Sequence, residues 1–129
     1  MLSIGDRVQG YRIEKQLQAK SMVCTYLVVD STGEKYVLKQ LKEQYRSDSR
    51  VYKSFIGEYL LAQKIEHDHL LPIINVFREE AAVIFPHLHG VTLRDWLQKK
   101  GSIEPLRALK LGAQILSALN VLHQRRIVH

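Results

Sequence analysis

The sequence predicts an α+β fold in which one helix packs on an antiparallel sheet and a helical region follows. Three changes in hydrophobic period along the chain carry this prediction. The first third of the chain alternates apolar and polar residues, and the next segment repeats apolar residues every three or four positions. Two short strand-like runs and two helical segments then complete the chain. Its 129 residues, 46% of them apolar, are enough for one domain with a buried core.

Three strands are predicted in the first third. Apolar residues alternate with charged and polar ones in Tyr11–Leu17, and Val23–Val29 is rich in β-branched and aromatic residues. The turn residues Asp30-Ser31-Thr32-Gly33 separate this second run from a third, Tyr36–Leu41. Because the connections are short, we expect an antiparallel meander.

A helix is predicted after the capping residues Ser47–Ser49. Spacings of four and three residues define one face of it, which consists of Val51, Phe55, Glu58, Ala62 and Ile65. Two further strands, Ile73–Arg78 and Ala81–Phe85, lie on either side of a turn at Glu79-Glu80. The sheet is therefore expected to contain five strands.

Two helices are predicted at the end of the chain. Thr92 and Asp95 resemble a capping box at the start of the first, and Gly101 ends it. Ser102 is expected to cap the second, with Pro105 in its first turn. The buried stripe of this long helix consists of Ala108, Leu111, Ile115, Ala118 and Leu122. Further leucines widen the stripe, so the chain on its own is expected to expose an apolar patch and either to self-associate or to stay partly unfolded.

The composition of the chain excludes several classes of protein. Nineteen Lys and Arg against 13 Asp and Glu give a net charge of +6, which favours anionic partners such as phosphates. A single cysteine, Cys24, excludes a disulfide framework within the chain and a cysteine-rich zinc site. The sequence shows no membrane-spanning run, no secretory signal and no nucleic-acid motif. We therefore expect a cytoplasmic protein with neither a membrane segment nor a nucleic-acid partner.

Lys39 and Glu58 are the first candidates for chemistry. Lys39 shares a strand face with apolar residues, and Glu58 lies on the predicted apolar face of the helix. A buried ion pair between them would add little stability, because desolvation cancels most of the attraction. Such a pair is better explained by a function such as holding phosphates. The alternative is that both long side chains extend to water.

In sequence order, several segments resemble a protein kinase of the eukaryotic-like Ser/Thr type. Tyr36-Val37-Leu38-Lys39 resembles the strand that carries the family's lysine, and Phe55-Ile56-Gly57-Glu58 resembles the helix with its glutamate partner. Phe85-Pro86-His87-Leu88-His89-Gly90 resembles the gatekeeper and hinge. The remaining matches are Tyr11-Arg12-Ile13, Leu17, Thr25–Asp30, Ile65–Leu71, Ala118–His123 and Ile127–His129.

The resemblance implies a fold and an ATP site. The fold is a kinase small lobe at 8–85, a hinge at 86–90 and the start of the large lobe at 91–129. Lys39 would contact the α- and β-phosphates of ATP, and Glu58 would anchor Lys39. The adenine pocket would be lined by Leu17, Thr25 and Val37. Phe85 would be the gatekeeper, and the backbone of Pro86 and Leu88 would bond the adenine edge.

The sequence departs from the family at three places. The three glycine positions of the phosphate loop correspond to Gln18, Lys20 and Val23, and none is glycine, although glycine allows the backbone to approach phosphate closely. Val37 also replaces a smaller alanine. His129 corresponds to the first residue of the catalytic loop, so the catalytic Asp and the Mg²⁺ ligands lie beyond it. The 129-residue chain alone is therefore expected to lack catalytic activity.

The sequence leaves three functions open. One is the ATP-binding part of a Ser/Thr protein kinase that uses ATP with Mg²⁺ and acts on a protein substrate. Another is a pseudokinase-like module that regulates a protein partner, with weak nucleotide binding or none. The third is an unrelated α+β protein that binds phosphate, which a fold without the Lys39–Glu58 pair would favour. Two His-x-His pairs, at His67 and His69 and at His87 and His89, allow a metal site, although ordinary loop histidines are the favoured interpretation. We expect no metal ligands in this chain.

Overall fold

The computed structural model describes residues 1–128, and they divide into two units. The first unit contains residues 1–66 and 71–87, and the second contains residues 67–70 and the chain from Leu88 onward. The prediction for His129 lies outside the described residues.

A six-stranded antiparallel sheet forms most of the first unit. Its strands are β1 (Arg7–Val8), β2 (Tyr11–Ala19), β3 (Val23–Val29), β4 (Lys35–Leu41), β5 (Asn75–Phe77) and β6 (Ala82–Pro86). They lie in the order β1-β2-β3-β4-β6-β5. The α+β prediction is confirmed, but the count of five strands is wrong. The additional strand, β1, has only two residues, which is too short to produce a sequence period.

The two faces of the sheet carry different sets of residues. One face carries the main hydrophobic core, which includes the fully buried Tyr26, Val28, Leu38 and Ile84. Because side chains alternate along a strand, their neighbours Leu27, Val29, Val37 and Lys39 occupy the opposite face. This second face carries the candidate site residues of the central strands.

The first unit also contains two helices, α1 (Glu43–Arg46) and α2 (Ser49–Ala62). Among the three predicted capping residues, Asp48 is the N-cap of α2, and its carboxylate accepts hydrogen bonds from the N–H groups of Arg50 and Val51. Ile56 is the only buried residue of α2. The predicted face is confirmed at Val51, Phe55 and Ala62, which are half-buried, and it is wrong at Glu58, which is exposed.

The cap of α2 makes a direct stability prediction. Asp48→Ala removes an acceptor for two N–H groups that have no partner within the helix, so we expect a loss of about 1 kcal/mol in the free energy of unfolding. Urea denaturation followed by circular dichroism measures it. Ser47→Ala is the matched control and should change little, because the Ser47 side chain caps no N–H group of α2. Equal losses in both variants would contradict the cap assignment.

The second unit consists mainly of α3 (Leu93–Lys100) and α4 (Pro105–Gln124). Thr92 caps α3 as predicted, and its hydroxyl accepts from the N–H of Asp95 at 3.1 Å. The predicted cap of α4 is wrong. Glu104, rather than Ser102, accepts from the first N–H groups of that helix, because its longer carboxylate reaches them from the position just before Pro105.

Within its own unit, α4 is only partly buried. The predicted stripe is confirmed at Ala118 and Leu122, which are buried, and it is wrong at Ala108 and Ile115, which are exposed. Three leucines of α4 are also exposed, namely Leu106, Leu109 and Leu116. The expected apolar patch is therefore present on this unit taken by itself. Self-association of the chain stays a prediction.

Candidate functional site

The register of the central strands brings four predicted site residues onto one face of the sheet. Thr25 of β3 lies opposite Lys39 of β4, and Lys39 lies opposite Val83 of β6. Val37, two residues before Lys39 on β4, lies opposite Phe85 of β6. Because paired residues of an antiparallel sheet share a face, Thr25, Val37, Lys39 and Phe85 form a contiguous surface.

Lys39 is a half-buried cation on this surface. Its Nζ lies 5.2 Å from the centroid of the Phe85 ring, a cation–π distance. Burial lowers the pKa of Lys39 below the ordinary lysine value, and the positive charge of Lys20 lowers it further. Glu58 opposes this with a smaller effect. The position therefore holds a positive charge that the fold itself does not neutralise.

The predicted buried ion pair between Lys39 and Glu58 is not formed in this structure. No carboxylate of residues 1–128 lies within 4.0 Å of the Lys39 Nζ. Glu58 is exposed and lines a cavity of about 420 Å³ between α2 and the β2–β3 hairpin, together with Val23, Leu41 and Phe55. The α2 residue that meets this face of the sheet is Tyr59, whose ring contacts Phe85 of β6, whereas Glu58 is exposed.

Tyr59 occupies the inward position next to Glu58. Its ring meets Phe55 at 5.1 Å and Phe85 at 5.8 Å, in both cases edge to face. Burial raises the pKa of Tyr59, and Glu58 raises it further. The Phe85 ring therefore contacts both Tyr59 and Lys39, and it links α2 to the lysine in place of an ion pair. Sequence analysis missed Tyr59, although the spacing of Phe55 and Tyr59 by four residues is typical of a helical aromatic pair.

The other predicted site residues have different surroundings. Leu17 is about half exposed and is the extra residue in a β-bulge, since Gln16 and Gln18 pair with the consecutive residues Tyr26 and Thr25. Pro86 ends β6. Leu88 belongs to the second unit, where 65% of its surface is exposed.

The segment Gln18–Cys24 forms a tight turn without glycine. The N–H of Lys20 donates to the carbonyl of Val23 at 3.0 Å. Within this fully described segment no residue has a positive φ, so the turn needs no glycine for its backbone conformation. The end of β4 holds the turn in place, because the Lys42 N–H donates to Met22 O at 2.9 Å and the Lys42 Nζ donates to Ser21 O at 3.0 Å.

The first His-x-His pair forms local hydrogen bonds. His67 Nδ1 accepts from the N–H of His69 at 3.0 Å, and His67 Nε2 lies 2.9 Å from the hydroxyl of Ser117. A neutral ring that accepts at Nδ1 donates at Nε2, so both ring nitrogens of His67 are engaged. Among residues 1–128, no group of three or more His, Cys, Asp or Glu side chains is placed to hold a metal ion.

Comparison with known proteins adds a family assignment to this geometry. The family model of the protein kinase domain matches residues 11–129. The serine/threonine-protein kinase PrkC of Bacillus subtilis is 28% identical over 98% of this chain, and a probable serine/threonine-protein kinase KIN1 homolog of Enterocytozoon bieneusi is 28% identical over 97%. The chain spans about a fifth of the length of each of these relatives.

Solved structures show the same fold. The kinase domain of Mycobacterium tuberculosis PknI matches the whole chain with a TM-score of 0.77 at 22% identity, and the chain covers 54% of that structure. The apo form of PpkA-294 matches with a TM-score of 0.80 at 18% identity, again with 54% of that structure covered. In the part of the chain that the structure describes, no helix has the length and apolar character needed to cross a membrane.

Proposed function

Because the chain belongs to the protein kinase family, we propose that it is the ATP-binding N-terminal portion of a Ser/Thr protein kinase. The whole protein would transfer a phosphoryl group from ATP to Ser or Thr of a protein substrate. Residues 8–85 would form the small lobe, 86–90 the hinge and 91–129 the start of the large lobe. This division follows the kinase resemblance.

The observation that carries the proposal is the state of Lys39. It is a half-buried cation without a carboxylate partner within 4.0 Å among residues 1–128. Burial of an unpaired charge costs free energy, so the fold alone does not account for it. An anionic ligand would supply the missing counter-charge. The α- and β-phosphates of ATP are the anions that a lysine at this position of the family binds.

The neighbours of Lys39 suit a nucleotide. Thr25 and Val37 lie on the same face as the lysine, and we assign them with Leu17 to the adenine pocket. Phe85 would be the gatekeeper, since its ring contacts Lys39 at the end of β6. The backbone of Pro86 and Leu88 would bond the adenine edge.

The chemistry that this portion supports is binding rather than transfer. ATP with Mg²⁺ would supply the phosphoryl group and the metal charge that compensates the developing negative charge. Lys39 would bind and orient the phosphates. By analogy with the family, the catalytic Asp and the Mg²⁺ ligands would lie beyond His129, so we propose no metal ligand and no catalytic residue among the residues of this chain.

Calorimetric titration of ATP with Mg²⁺ into the chain tests the proposal. We expect saturable binding with a stoichiometry of one, and weaker binding of adenosine, because adenosine lacks the anion that Lys39 would neutralise. Adenosine is therefore the matched ligand control. Equal affinities for ATP and adenosine would contradict a phosphate role for Lys39, and no binding of ATP at all would contradict the proposed function.

A second candidate function is a pseudokinase-like module that regulates a protein partner. Two observations favour it: the phosphate loop has no glycine, and Glu58 does not reach Lys39. The two candidates differ in nucleotide affinity. Absence of ATP binding together with a folded chain would favour the regulatory module. For either function we propose a protein partner and a cytoplasmic location, where ATP is available.

A further inference from the structure

We propose that Lys20 and Lys39 together form a two-cation site for the polyphosphate of a nucleotide, in which the Lys20 side chain replaces the backbone amides of a glycine-rich loop. This inference rests on the proposed function, because it names the group that holds the phosphates in the proposed ATP site. It adds a ligand-binding residue that the family's loop pattern does not contain.

Lys20 immediately follows β2, and its hydrogen bond to Val23 continues the register in which Ala19 lies opposite Cys24. The N–H of Lys20 donates to the carbonyl of Val23, and Val23 lies opposite Leu41. Thr25 is two residues after Val23 on β3, and Lys39 is two residues before Leu41 on β4. Thr25 and Lys39 lie opposite each other and form the next pair on the same face. Because residues two apart on a strand share a face, Lys20 and Lys39 lie in adjacent rows of one surface.

The turn that carries Lys20 is held in place. Two hydrogen bonds from Lys42 fix the carbonyls of Ser21 and Met22, the two residues that follow Lys20. Lys42 immediately follows β4, the strand that carries Lys39. Lys42 therefore holds the turn that carries Lys20, next to the end of the strand that carries Lys39.

The backbone of this turn is poorly suited to bind phosphate by itself. The N–H of Lys20, at the second of the three glycine positions, is already donated to Val23. Side chains at positions 18, 20 and 23 also keep an incoming phosphate away from the backbone. The long side chain of Lys20 extends beyond the backbone of the turn, and its ammonium group carries a full positive charge.

The positive charges of Lys20 and Lys39 favour the binding of an anion on this face. Within residues 1–128, neither Lys20 nor Lys39 has a carboxylate within 4.0 Å. The two charges interact unfavourably, since Lys20 lowers the pKa of Lys39. A bound polyphosphate would interact favourably with both cations and would relieve their mutual repulsion.

The test measures ATP, adenosine and inorganic tripolyphosphate binding by calorimetry for four forms of the chain. These are the unaltered chain, Lys20→Met, Lys20→Arg and Lys53→Met. Lys53→Met is the matched control, because it removes the same charge from an exposed position of α2. We expect Lys20→Met to weaken ATP and tripolyphosphate about tenfold or more and to leave adenosine unchanged. Lys20→Arg and Lys53→Met should stay near the unaltered affinity.

A second readout does not depend on ligand. The pKa of Lys39, followed by NMR of isotopically labelled lysine side chains, should rise in Lys20→Met, because a neighbouring positive charge has been removed. An unchanged Lys39 pKa would overturn the proximity of the two cations.

The outcomes separate this inference from the proposed function. One outcome is that the unaltered chain binds ATP while Lys20→Met lowers the affinity for ATP no more than Lys53→Met does. That result would overturn the role of Lys20 and leave the proposed ATP binding in place. If the chain binds tripolyphosphate through Lys20 but not ATP, the two-cation site stands and the proposed function fails. If it binds neither ligand, both are overturned.

Discussion

Lys39→Met is expected to weaken ATP binding about a hundredfold and, at neutral pH, to raise the melting temperature of the chain. Binding weakens because the central phosphate contact is lost. Stability rises because the variant replaces a half-buried unpaired cation with an apolar side chain of similar length. Calorimetry and thermal denaturation measure the two effects on the same protein.

The pH dependence of the stability gain has a definite sign. The pKa of Lys39 is lower in the folded state than in the unfolded chain, so the charged form is the one that folding disfavours. The destabilisation is fully present below the folded-state pKa, and it disappears as the pH rises through that value toward the unfolded value of about 10.4. The gain of Lys39→Met should therefore be largest near neutral pH and should shrink in alkaline solution. A gain that grows with pH would contradict the buried-cation interpretation.

Leu38→Ala is expected to have the largest effect on stability, with a loss of about 2–5 kcal/mol in the free energy of unfolding. Leu38 is fully buried in the core on the opposite face of the sheet from Lys39, between β3 and β6. Removal of its side chain leaves a cavity that rigid neighbouring strands close only in part. Urea denaturation measures the loss.

A matched control separates burial from the change of residue type. Leu61→Ala makes the same substitution at an exposed position of α2, and it should change stability by no more than about 0.5 kcal/mol. Losses of similar size in the two variants would contradict the assignment of Leu38 to the core. Leu38 and Lys39 are adjacent on β4, yet Leu38→Ala is predicted to lower stability, whereas Lys39→Met is predicted to weaken ATP binding and to raise stability.

Much of the fold could be predicted from the sequence, because its strands and helices are long enough to show their periods. The three strands from Tyr11 to Leu41 and the helix after Asp48 are examples. Lys39 was also identifiable, since a charged residue in an apolar strand stands out. Short elements could not be predicted in this way, as the two residues of β1 show.

The orientation of α2 could not be predicted, for a physical reason. Its apolar residues cover a broad arc, so the pattern alone does not show whether a residue at the edge of that arc, such as Glu58, faces the sheet or solvent. Packing selects the rotation, and here the rings of Tyr59 and Phe85 meet on the inward side. Glu58 is exposed as a result. Similarly, the two hydrogen bonds of Lys42 depend on tertiary position, and no sequence pattern indicates them.

The double hydrogen bond of Lys42 has a consequence for how the chain tolerates changes in length. Surface connections between a strand and a helix usually accept inserted residues. The connection from β4 to α2 begins with the residue that fixes the hairpin turn. Residues added between Leu41 and Lys42 would shift that anchor and detach the turn, whereas residues added after Arg46 would leave both bonds in place. The permissive part of this loop is therefore its second half, near the N-cap of α2.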